Sequence, residues 1–353
     1  MLKQQLYDRI YRRFKDEFDA VYHDVMENNY NINGKYTRLV ENYIKKVSGR
    51  RFVHLTNTGT TAVQVSILAG GLVGKKTQLS SYGFNACISP FKMTGNPVFN
   101  DIIPSDTTMD FEQIDKSVDC VYAVDWWGHP VDHDSLAENW QGNVICDTSQ
   151  SFGATYKGKP VGSFGDMTVF AFGLQKHFGV HSHIGAIGTD DPNINRKINI
   201  AINQGKFDEY RYFPHEGLGI NGHCADILAG QLWVTIKHWE EFQNRRDKIA
   251  KYWIDEFKDL PLSIYVPNKH SQSSWYRFGG EVDDMHHFVQ HCNTMGIDCR
   301  TTYPDNWNDI YGTALPRPNT DHARKHGFSL PLSAQFTDGE VEMVKDVVTK
   351  YFV

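Results

Sequence analysis

Hydrophobic and polar positions alternate along the first two thirds of the chain in a repeated order of short strand, turn and helix. The run "RFVHLTNTGTTAVQVSILAGGL" predicts a strand, a Thr/Gly turn and a helix, and "TQLSSYGFNACISPFKMTG" with "NPVFNDI" predicts a strand, a helix and a second strand. The runs "SVDCVYAVDWWG" and "NVICDTSQS" end in polar residues, and "MTVFAFG" with "IGAIGTDD" predicts a strand pair. Short buried strands that alternate with helices predict an α/β fold with a mostly parallel sheet.

Longer helical patterns lie on either side of this region. The N-terminal "MLKQQLYDRIYRRFKDEF" predicts an amphipathic helix, and "NYNINGKYTRLVENYIKKVSG" predicts a turn followed by another helix. From Cys224 to about Leu260 the apolar residues recur at helical spacing, which predicts one long helix that links two domains. The tail predicts a small α+β domain, and its last helix begins at a capping box formed by Thr337 and Glu340.

The length and composition are those of a globular enzyme. The chain has 353 residues, more than one hydrophobic core usually organises, so we expect a large domain at residues 1–240, which includes the N-terminal helix, and a smaller one at residues 241–353. The net charge is −6 with mixed signs throughout, so the basic surface of a nucleic-acid-binding protein is not expected.

The sequence does not lead us to expect a targeting signal or a membrane span. The apolar runs are too short to cross a bilayer, and the N-terminus lacks the apolar segment of a signal peptide. The six cysteines lie far apart and form no CxxC pair. We therefore expect a cytoplasmic protein with reduced thiols and no membrane partner.

The common motifs for phosphate binding, metal binding and serine catalysis are incomplete or absent. The segment "AGGLVGKK" has Ala69 where a phosphate-binding loop needs glycine and Lys76 where it needs a hydroxyl. The histidines of "GHPVDHD" and "HSH", and the pair His287 and His291, have no further partners at a recognised spacing, so we expect no metal site. A GxSxG elbow for serine catalysis is absent as well.

Three other segments each follow a predicted strand, at the edge where open α/β sheets bind ligands. "TNTGTTAV" presents the Gly59 and Thr60 amides at a helix start, which favours an anion site, although an ordinary N-cap turn has the same sequence. "CDTSQSFG" places Asp147 at a strand end, as a buried carboxylate that needs a cationic partner or as a loop cap. "FAFGLQKHFG" places Lys176 in apolar surroundings, where the ammonium group either extends to water or is held inside because it reacts.

The three segments, in this order, supply the parts that a pyridoxal phosphate (PLP) enzyme needs. A helix start holds the phosphate, a carboxylate keeps the pyridine nitrogen protonated so that the ring accepts electrons, and a lysine forms a Schiff base with the cofactor. A PLP site is therefore favoured over three unrelated structural roles.

The chain resembles the DegT/StrS family of nucleotide-sugar aminotransferases over nearly its whole length. The similarity runs from "NINGKYTRLVENYI" through "TGTTAV", "VYAVDWWGHPVDHDSL", "CDTSQSFGATYKGKPVGSFGD" and "FAFGLQKHFG" to "LGINGHCADILAGQL" and "GFSLPLSAQFTDGEVEMV". The most specific part runs from Asp147 to Asp166 and has the pattern DxxQxxGAxxxGxxxGxxGD. The resemblance implies the aspartate aminotransferase fold, a three-layer αβα arrangement of fold type I with a smaller C-terminal α+β domain.

The resemblance also implies roles for residues at matching positions. Lys176 would bind the cofactor covalently and move protons, and Asp147 would pair with the pyridinium nitrogen. Gln150 would hydrogen-bond the ring hydroxyl, and Phe84 would stack on the ring face.

Three further matches concern the cofactor phosphate. Gly59 and Thr60 would bind it through their amides and the Thr60 hydroxyl. Asn221 resembles the family asparagine that reaches the cofactor phosphate of the neighbouring subunit, which implies a homodimer with two shared active sites.

The sequence departs from the family pattern in two places near the lysine. Ala171 stands where the family usually has a serine whose hydroxyl binds phosphate, so one contact is missing or replaced. The segment "HFGVHSHIGA" replaces the NxGxxGDGG or TTGEGG of relatives, in which this loop lines the substrate pocket. We therefore expect His177, His181 and His183 to contact the substrate, while the sugar and its ring position stay open.

The implied function is the transfer of an amino group from glutamate to a nucleotide-linked keto-deoxysugar, in amino sugar biosynthesis. Two alternatives stay open at this point. Some relatives carry histidine at the lysine position and dehydrate the sugar, but the lysine is kept here, which favours transamination. A catalytically silent relative that binds a nucleotide sugar or a partner protein is permitted by Ala171 and the changed loop.

Overall fold

The computed structural model describes residues 1–95, 97–173, 175–178, 180–207, 215–303, 310 and 316–353. The helices in this part of the chain are α1 (Tyr7–Arg13), α2 (Lys15–Glu27), α3 (Lys35–Ser48), α4 (Gly59–Ala69), α5 (Asn85–Ile88), α6 (His133–Asn139), α7 (Pro192–Ile202), α8 (Asp226–Ile236), α9 (Trp239–Phe257), α10 (Met285–Thr294), α11 (Pro318–His326) and α12 (Asp338–Tyr351). The strands are β1 (Phe52–Thr56), β2 (Thr77–Ser80), β3 (Val98–Asn100), β4 (Cys120–Val124), β5 (Asn143–Asp147), β6 (Thr155–Tyr156), β7 (Lys159–Pro160), β8 (Met167–Ala171), β9 (Gly185–Thr189), β10 (Ser263–Ile264), β11 (Ser271–Gln272), β12 (Phe278–Glu281), β13 (Arg300–Thr301) and β14 (Gly327–Leu330).

A seven-stranded sheet in the order β1-β9-β8-β5-β4-β2-β3 forms the centre of the molecule. β8, β5, β4, β2 and β3 pair in parallel, and β9 runs antiparallel to both of its neighbours. All five residues of β4 are buried, because a parallel strand in such a sheet is covered on both faces. The predicted α/β fold with a mostly parallel sheet is confirmed.

Helices cover both faces of this sheet. On one face Val65 and Ile67 of α4 pack in a hydrophobic cluster with Val169 of β8. On the other face Val40 of α3 packs in a second cluster with Phe170, the next residue of the same strand, together with parts of α2 and α8. Successive side chains of β8 thus enter opposite cores, and the three-layer αβα arrangement follows.

The C-terminal part has its own hydrophobic core. A four-stranded antiparallel sheet in the order β10-β12-β14-β13 lies in it, and Phe278, Phe288 and Val344 belong to the cluster formed with α9, α10 and α12. The predicted capping box of Thr337 and Glu340 begins α12. The domain boundary at residue 240 stays a prediction, because α9 begins at the large sheet and continues into the C-terminal core.

Two helical predictions differ in detail from the structure. The N-terminal pattern forms α1 and α2, which are separated at Phe14, and the long pattern after Cys224 forms α8 and α9, which are separated at Lys237 and His238. The Phe14 and His238 rings stack with their centroids 4.6 Å apart. The two interruptions therefore lie against each other, and packing between distant segments overrides local helical periodicity.

The first residues of the chain connect the C-terminal core to the lysine loop. Leu2 forms a parallel bridge with Ile297, and the side-chain amide of Gln4 donates to two backbone carbonyls of the C-terminal part, at 2.7 and 2.9 Å. The Gln5 side-chain amide donates to the Lys176 carbonyl at 3.1 Å. We call these residues, 2 to 5, the N-terminal brace.

All six cysteines are buried and unpaired. Within the described ranges no helix combines the length and the apolar character needed to span a membrane.

Candidate active site

The turn after β1 forms an anion-binding helix start. Thr58 caps α4, since its hydroxyl accepts a hydrogen bond from the Thr61 amide at 2.9 Å. The amides of Gly59 and Thr60 have no acceptor among the described residues. A Cβ at Gly59 would lie 2.7 Å from the Ala171 Cβ, so glycine lets the helix start approach β8 closely. Two free amides at the positive end of a helix suit a phosphate.

Asp147, at the end of β5, is a buried carboxylate. It is 1% exposed, its Oδ1 accepts from the Ser149 amide at 2.9 Å, and its Oδ2 accepts from the Tyr122 hydroxyl. Burial, and then the charge of Asp147, raise the pKa of Tyr122 well above its ordinary value, so this phenol stays a donor. In the described part of the chain no basic side chain forms an ion pair with Asp147. A buried charge needs compensation, which the protonated ring nitrogen of PLP provides.

Lys176 lies in the loop between β8 and β9. Its backbone amide donates to the Gly173 carbonyl at 3.0 Å, which turns the chain directly after β8. Its Nζ lies 4.9 Å from the centroid of the Tyr276 ring. The side chain is partly buried and enters the same cavity as Asp147.

Gln150 and Phe84 present a polar and an aromatic surface to this cavity. The Gln150 Oε1 accepts from the Trp127 amide at 3.0 Å, and its Nε2 donates to the Tyr303 hydroxyl at 2.9 Å. Because a backbone amide can only donate, the side-chain orientation is fixed, and Nε2 has a second hydrogen for a ring hydroxyl. Phe84 is 50% exposed, and its ring centroid lies 6.3 Å from that of Tyr303. It offers a flat apolar face to a ligand ring.

One cavity of about 940 Å³ collects these groups, within the usual size range of ligand sites. The predicted site residues that line it are Gly59, Thr60, Phe84, Asp147, Gln150, Lys176 and His183. The cavity is therefore lined by an anion-binding helix start, by a buried carboxylate and by a lysine. This set of groups fits PLP.

Comparison with known proteins assigns the chain to a family. The model of the DegT/DnrJ/EryC1/StrS aminotransferase family matches residues 13–349. The chain belongs to this family. Among its relatives, the dTDP-3-amino-3,4,6-trideoxy-alpha-D-glucose transaminase of Streptomyces venezuelae is 24% identical over 311 residues, which are 84% of this chain and 81% of that protein.

Two solved structures show that the family fold extends over the whole chain. DesV of S. venezuelae, in complex with a ketimine intermediate, has a TM-score of 0.92 and 23% identity over 98% of this chain and 97% of that one. NtdA of Bacillus subtilis, with bound cofactor PMP, has a TM-score of 0.89 and 21% identity over 98% of this chain and 84% of that one. The predicted PLP-dependent aminotransferase fold is thus confirmed, and the cofactor of this family member is PLP.

Two of the three histidines expected at the substrate do not line the large cavity. His177 borders a separate cavity of about 20 Å³, and burial, followed by the positive charges of Arg246 and Lys176, lowers its pKa well below the ordinary value. His181 is exposed, and its ring centroid lies 4.7 Å from that of Tyr7. Of the three, the structure brings only His183 to the cavity lining.

Asn221 also lies outside the cavity of its own chain. It is exposed, its backbone bridges to Asn203, and its carbonyl accepts from the Asn57 side chain at 3.1 Å. Its side chain has no hydrogen-bond partner among the residues described. The role of Asn221 in a neighbouring subunit of this family member stays a prediction.

The structure adds site residues that sequence patterns did not indicate. Tyr122 lies inside the apolar strand run "CVYAV" and therefore looks like a core residue, yet its hydroxyl contacts Asp147. Tyr303 contacts Gln150 across the cavity. Arg277 is the one basic residue in the aromatic segment "SSWYRFGGEV". A charge inside such a strand pattern is a sequence signal for a residue of a binding site. Among the described residues, no three His, Cys, Asp or Glu side chains are grouped to hold a metal ion.

Proposed function

We propose that this protein transfers the amino group of glutamate to a nucleotide-linked keto-deoxysugar, as a PLP-dependent aminotransferase of amino sugar biosynthesis. The observation that carries the proposal is the convergence of the α4 start, Asp147 and Lys176 on one cavity of about 940 Å³. The names of relatives support the substrate class, since they include transaminases of dTDP-linked amino sugars.

The polar groups around the cavity bind and orient the cofactor. The Gly59 and Thr60 amides, with the Thr60 hydroxyl, bind the phosphate at the positive end of α4. Phe84 would stack on the ring and exclude water from it, and Gln150 would donate its second amide hydrogen to the ring hydroxyl. Ala171 has no hydroxyl, so the phosphate relies on the amides more than it does where serine occupies this position.

Two residues handle the charge and the protons of the reaction. When bound, PLP supplies an electron sink that lets one substrate give up an amino group and the other accept it. Asp147 holds a proton on the ring nitrogen by accepting a charge-assisted hydrogen bond from it. The Lys176 Nζ would hold the cofactor covalently between turnovers and would take and return the proton at the reacting carbon during each turnover.

Each active site is completed by the second subunit of a homodimer. Asn221 is exposed and is not part of the cavity lining of its own chain, and its side chain has no described partner within that chain. In a two-fold symmetric dimer the same residue of both chains would bind the phosphate of the opposite site.

The proposal is tested by colour and turnover. Protein loaded with PLP is expected to show a visible absorption band that glutamate bleaches, and a matching keto-sugar nucleotide should restore the band. Lys176→Ala should lose both the covalent cofactor, measured by mass spectrometry after borohydride reduction, and the turnover. Lys159→Ala, which removes an exposed lysine outside the cavity, is the matched control. Full turnover by Lys176→Ala would show that the site is assigned wrongly, and a band that persists with glutamate would exclude glutamate as the donor.

A further inference from the structure

Arg277 is a buried cation on the wall of the large cavity. The residue is 5% exposed and lies directly before β12. Its Nε donates to the Ser329 hydroxyl at 3.1 Å, and its Nη2 donates to the Ser329 carbonyl at 3.4 Å. Both residues line the cavity. These contacts use two of the five N–H groups of the guanidinium, so the others are available to a ligand.

Arg277 lacks a contact ion-pair partner among the described residues, although Asp298 acts on its charge from a greater distance and raises its pKa less than burial lowers it. Its hydrogen bonds all go to Ser329, and no described carboxylate forms an ion pair with it. Arg50, by contrast, is also buried but has Asp190 at 2.8 Å. Burial lowers the pKa of Arg277, which expresses the cost of holding this charge away from water. Such a charge is usually retained where a ligand of opposite sign compensates it.

A second arginine, Arg300, lies beside Arg277 and contacts the lysine loop. Arg300 pairs with Ser329 across β13 and β14, so the three polar side chains meet on one part of the small sheet. Asp298 already neutralises Arg300, with Nη2 and Oδ2 2.8 Å apart. The Nη1 of Arg300 donates to the Gln175 side chain at 3.2 Å, one residue before the reactive lysine. Arg277, which has no carboxylate in contact among the described residues, therefore lies on the part of the wall that reaches the lysine loop.

Arg246 is another buried arginine that forms no ion pair with a carboxylate among the described residues, and it serves as a comparison. It donates to the Ser274 carbonyl at 3.3 Å and borders the cavity of about 20 Å³, which has room for about one water molecule. Arg277 borders a space large enough for a substrate, so the same reasoning points to a ligand only at Arg277.

We propose that Arg277, assisted by the Ser329 hydroxyl, is the carboxylate-binding subsite of this enzyme. The planar fork of a guanidinium matches a carboxylate with two parallel hydrogen bonds. This inference rests on the proposed function, because a carboxylate reaches the subsite either as part of the amino donor or as the acid group of a uronate-type keto sugar. In both cases Arg277 positions the substrate carbon near Lys176 rather than taking part in proton transfer.

Binding of glutarate, a dicarboxylate without an amino group, tests the subsite without turnover. Calorimetric titration into PLP-loaded protein should show a dissociation constant about 10- to 100-fold higher for Arg277→Gln than for the wild type. Arg277→Met, which keeps the volume and removes the charge, should show the same loss, and thermal unfolding should show that both variants remain folded. Arg277→Lys keeps the charge without the fork and should retain part of the affinity. Arg12→Gln, at an exposed arginine outside the cavity lining, is the matched control.

Half-reactions distinguish the two sources of the carboxylate. If the donor supplies it, Arg277→Gln raises the glutamate concentration needed for half-maximal bleaching and leaves the sugar half-reaction unchanged. If the sugar supplies it, the variant loses the preference for an acidic over a neutral keto sugar. Unchanged glutarate affinity in Arg277→Gln would overturn the inference, and so would weakened binding of a nucleoside diphosphate alone. The wild-type protein could also bind glutarate through Arg277 and yet fail to transaminate. That result would refute the proposed function and leave the subsite intact.

Discussion

Replacing Asp147 by asparagine removes one negative charge and changes almost no volume. The side-chain oxygen of the new asparagine would still accept from the Ser149 amide, which lies 2.9 Å from Oδ1 of the native aspartate. The Tyr122 hydroxyl, which donates to Oδ2 in the native protein, can rotate and accept from the new amide group instead. Both contacts survive, and a buried charge without a cation disappears, so we expect the free energy of unfolding of the apoprotein to change by less than about 1 kcal/mol.

The effect on the reaction is expected to be much larger. Asparagine cannot compensate a positive charge on the ring nitrogen, so the cofactor accepts electrons less readily. Removing one preorganised electrostatic partner from a buried reaction site typically costs about 3–4 kcal/mol in the transition state, which is about 10²- to 10³-fold in rate. Because burial at 1% exposure leaves no water to replace the carboxylate, the upper part of that range applies.

Stopped-flow absorbance with saturating glutamate measures the first half-reaction, and thermal unfolding of the same samples measures folding. Asp191→Asn is the matched control, because Asp191 caps α7 and asparagine is an equally good cap. A rate for Asp147→Asn within about threefold of the wild type would refute the assigned role. A rate loss that tracks a large fall in melting temperature would refute the claim that charge, not folding, is responsible.

Other predictions test the dimer and the phosphate site. If sites are shared, mixing inactive Lys176→Ala with impaired Asn221→Ala chains forms heterodimers with one intact site, and activity should rise to about one quarter of the wild-type value; no rise would indicate sites within single chains. Gly59→Ala places a Cβ 2.7 Å from that of Ala171 and should destabilise the protein by about 1–3 kcal/mol in urea unfolding, and adding Ala171→Gly should recover part of this loss; strictly additive effects would contradict the contact. Ala171→Ser should lower the dissociation constant for PLP about 2- to 10-fold, because the new hydroxyl would donate to the cofactor phosphate. An unchanged constant would show that a hydroxyl at position 171 does not contact the phosphate in this protein.

Local patterns were sufficient to predict the elements that carry the site. The turn at Gly59 and Thr60 and the aspartate at the end of β5 follow buried strands, and the carboxyl ends of parallel strands meet at one edge of a sheet. The antiparallel pair β8 and β9 places Lys176 at the same edge. Sequence order and strand polarity therefore predict the convergence before any side-chain contact is known.

Contacts between distant segments were not predictable in this way. The helix breaks at Phe14 and His238 lie against each other through stacked rings, and no local period contains that information. The loop histidines were assigned together, although only His183 lines the cavity while His177 and His181 point to other surroundings. A loop has no regular periodicity, so the side chains of three nearby residues can face three directions. Their proximity in the sequence therefore does not predict which of them faces the cavity.

The N-terminal brace joins parts of the molecule that are far apart in the sequence. The C-terminal core is connected to the central sheet covalently through α9 and is also held through Leu2 and Gln4, while Gln5 holds the loop of Lys176. Direct hydrogen bonds join the C-terminal part to residues around the large sheet as well, so the brace is one of several connections. Because Gln4 contacts the residue before Arg277, a shift of the first five residues would reach the cavity wall and the reactive lysine together.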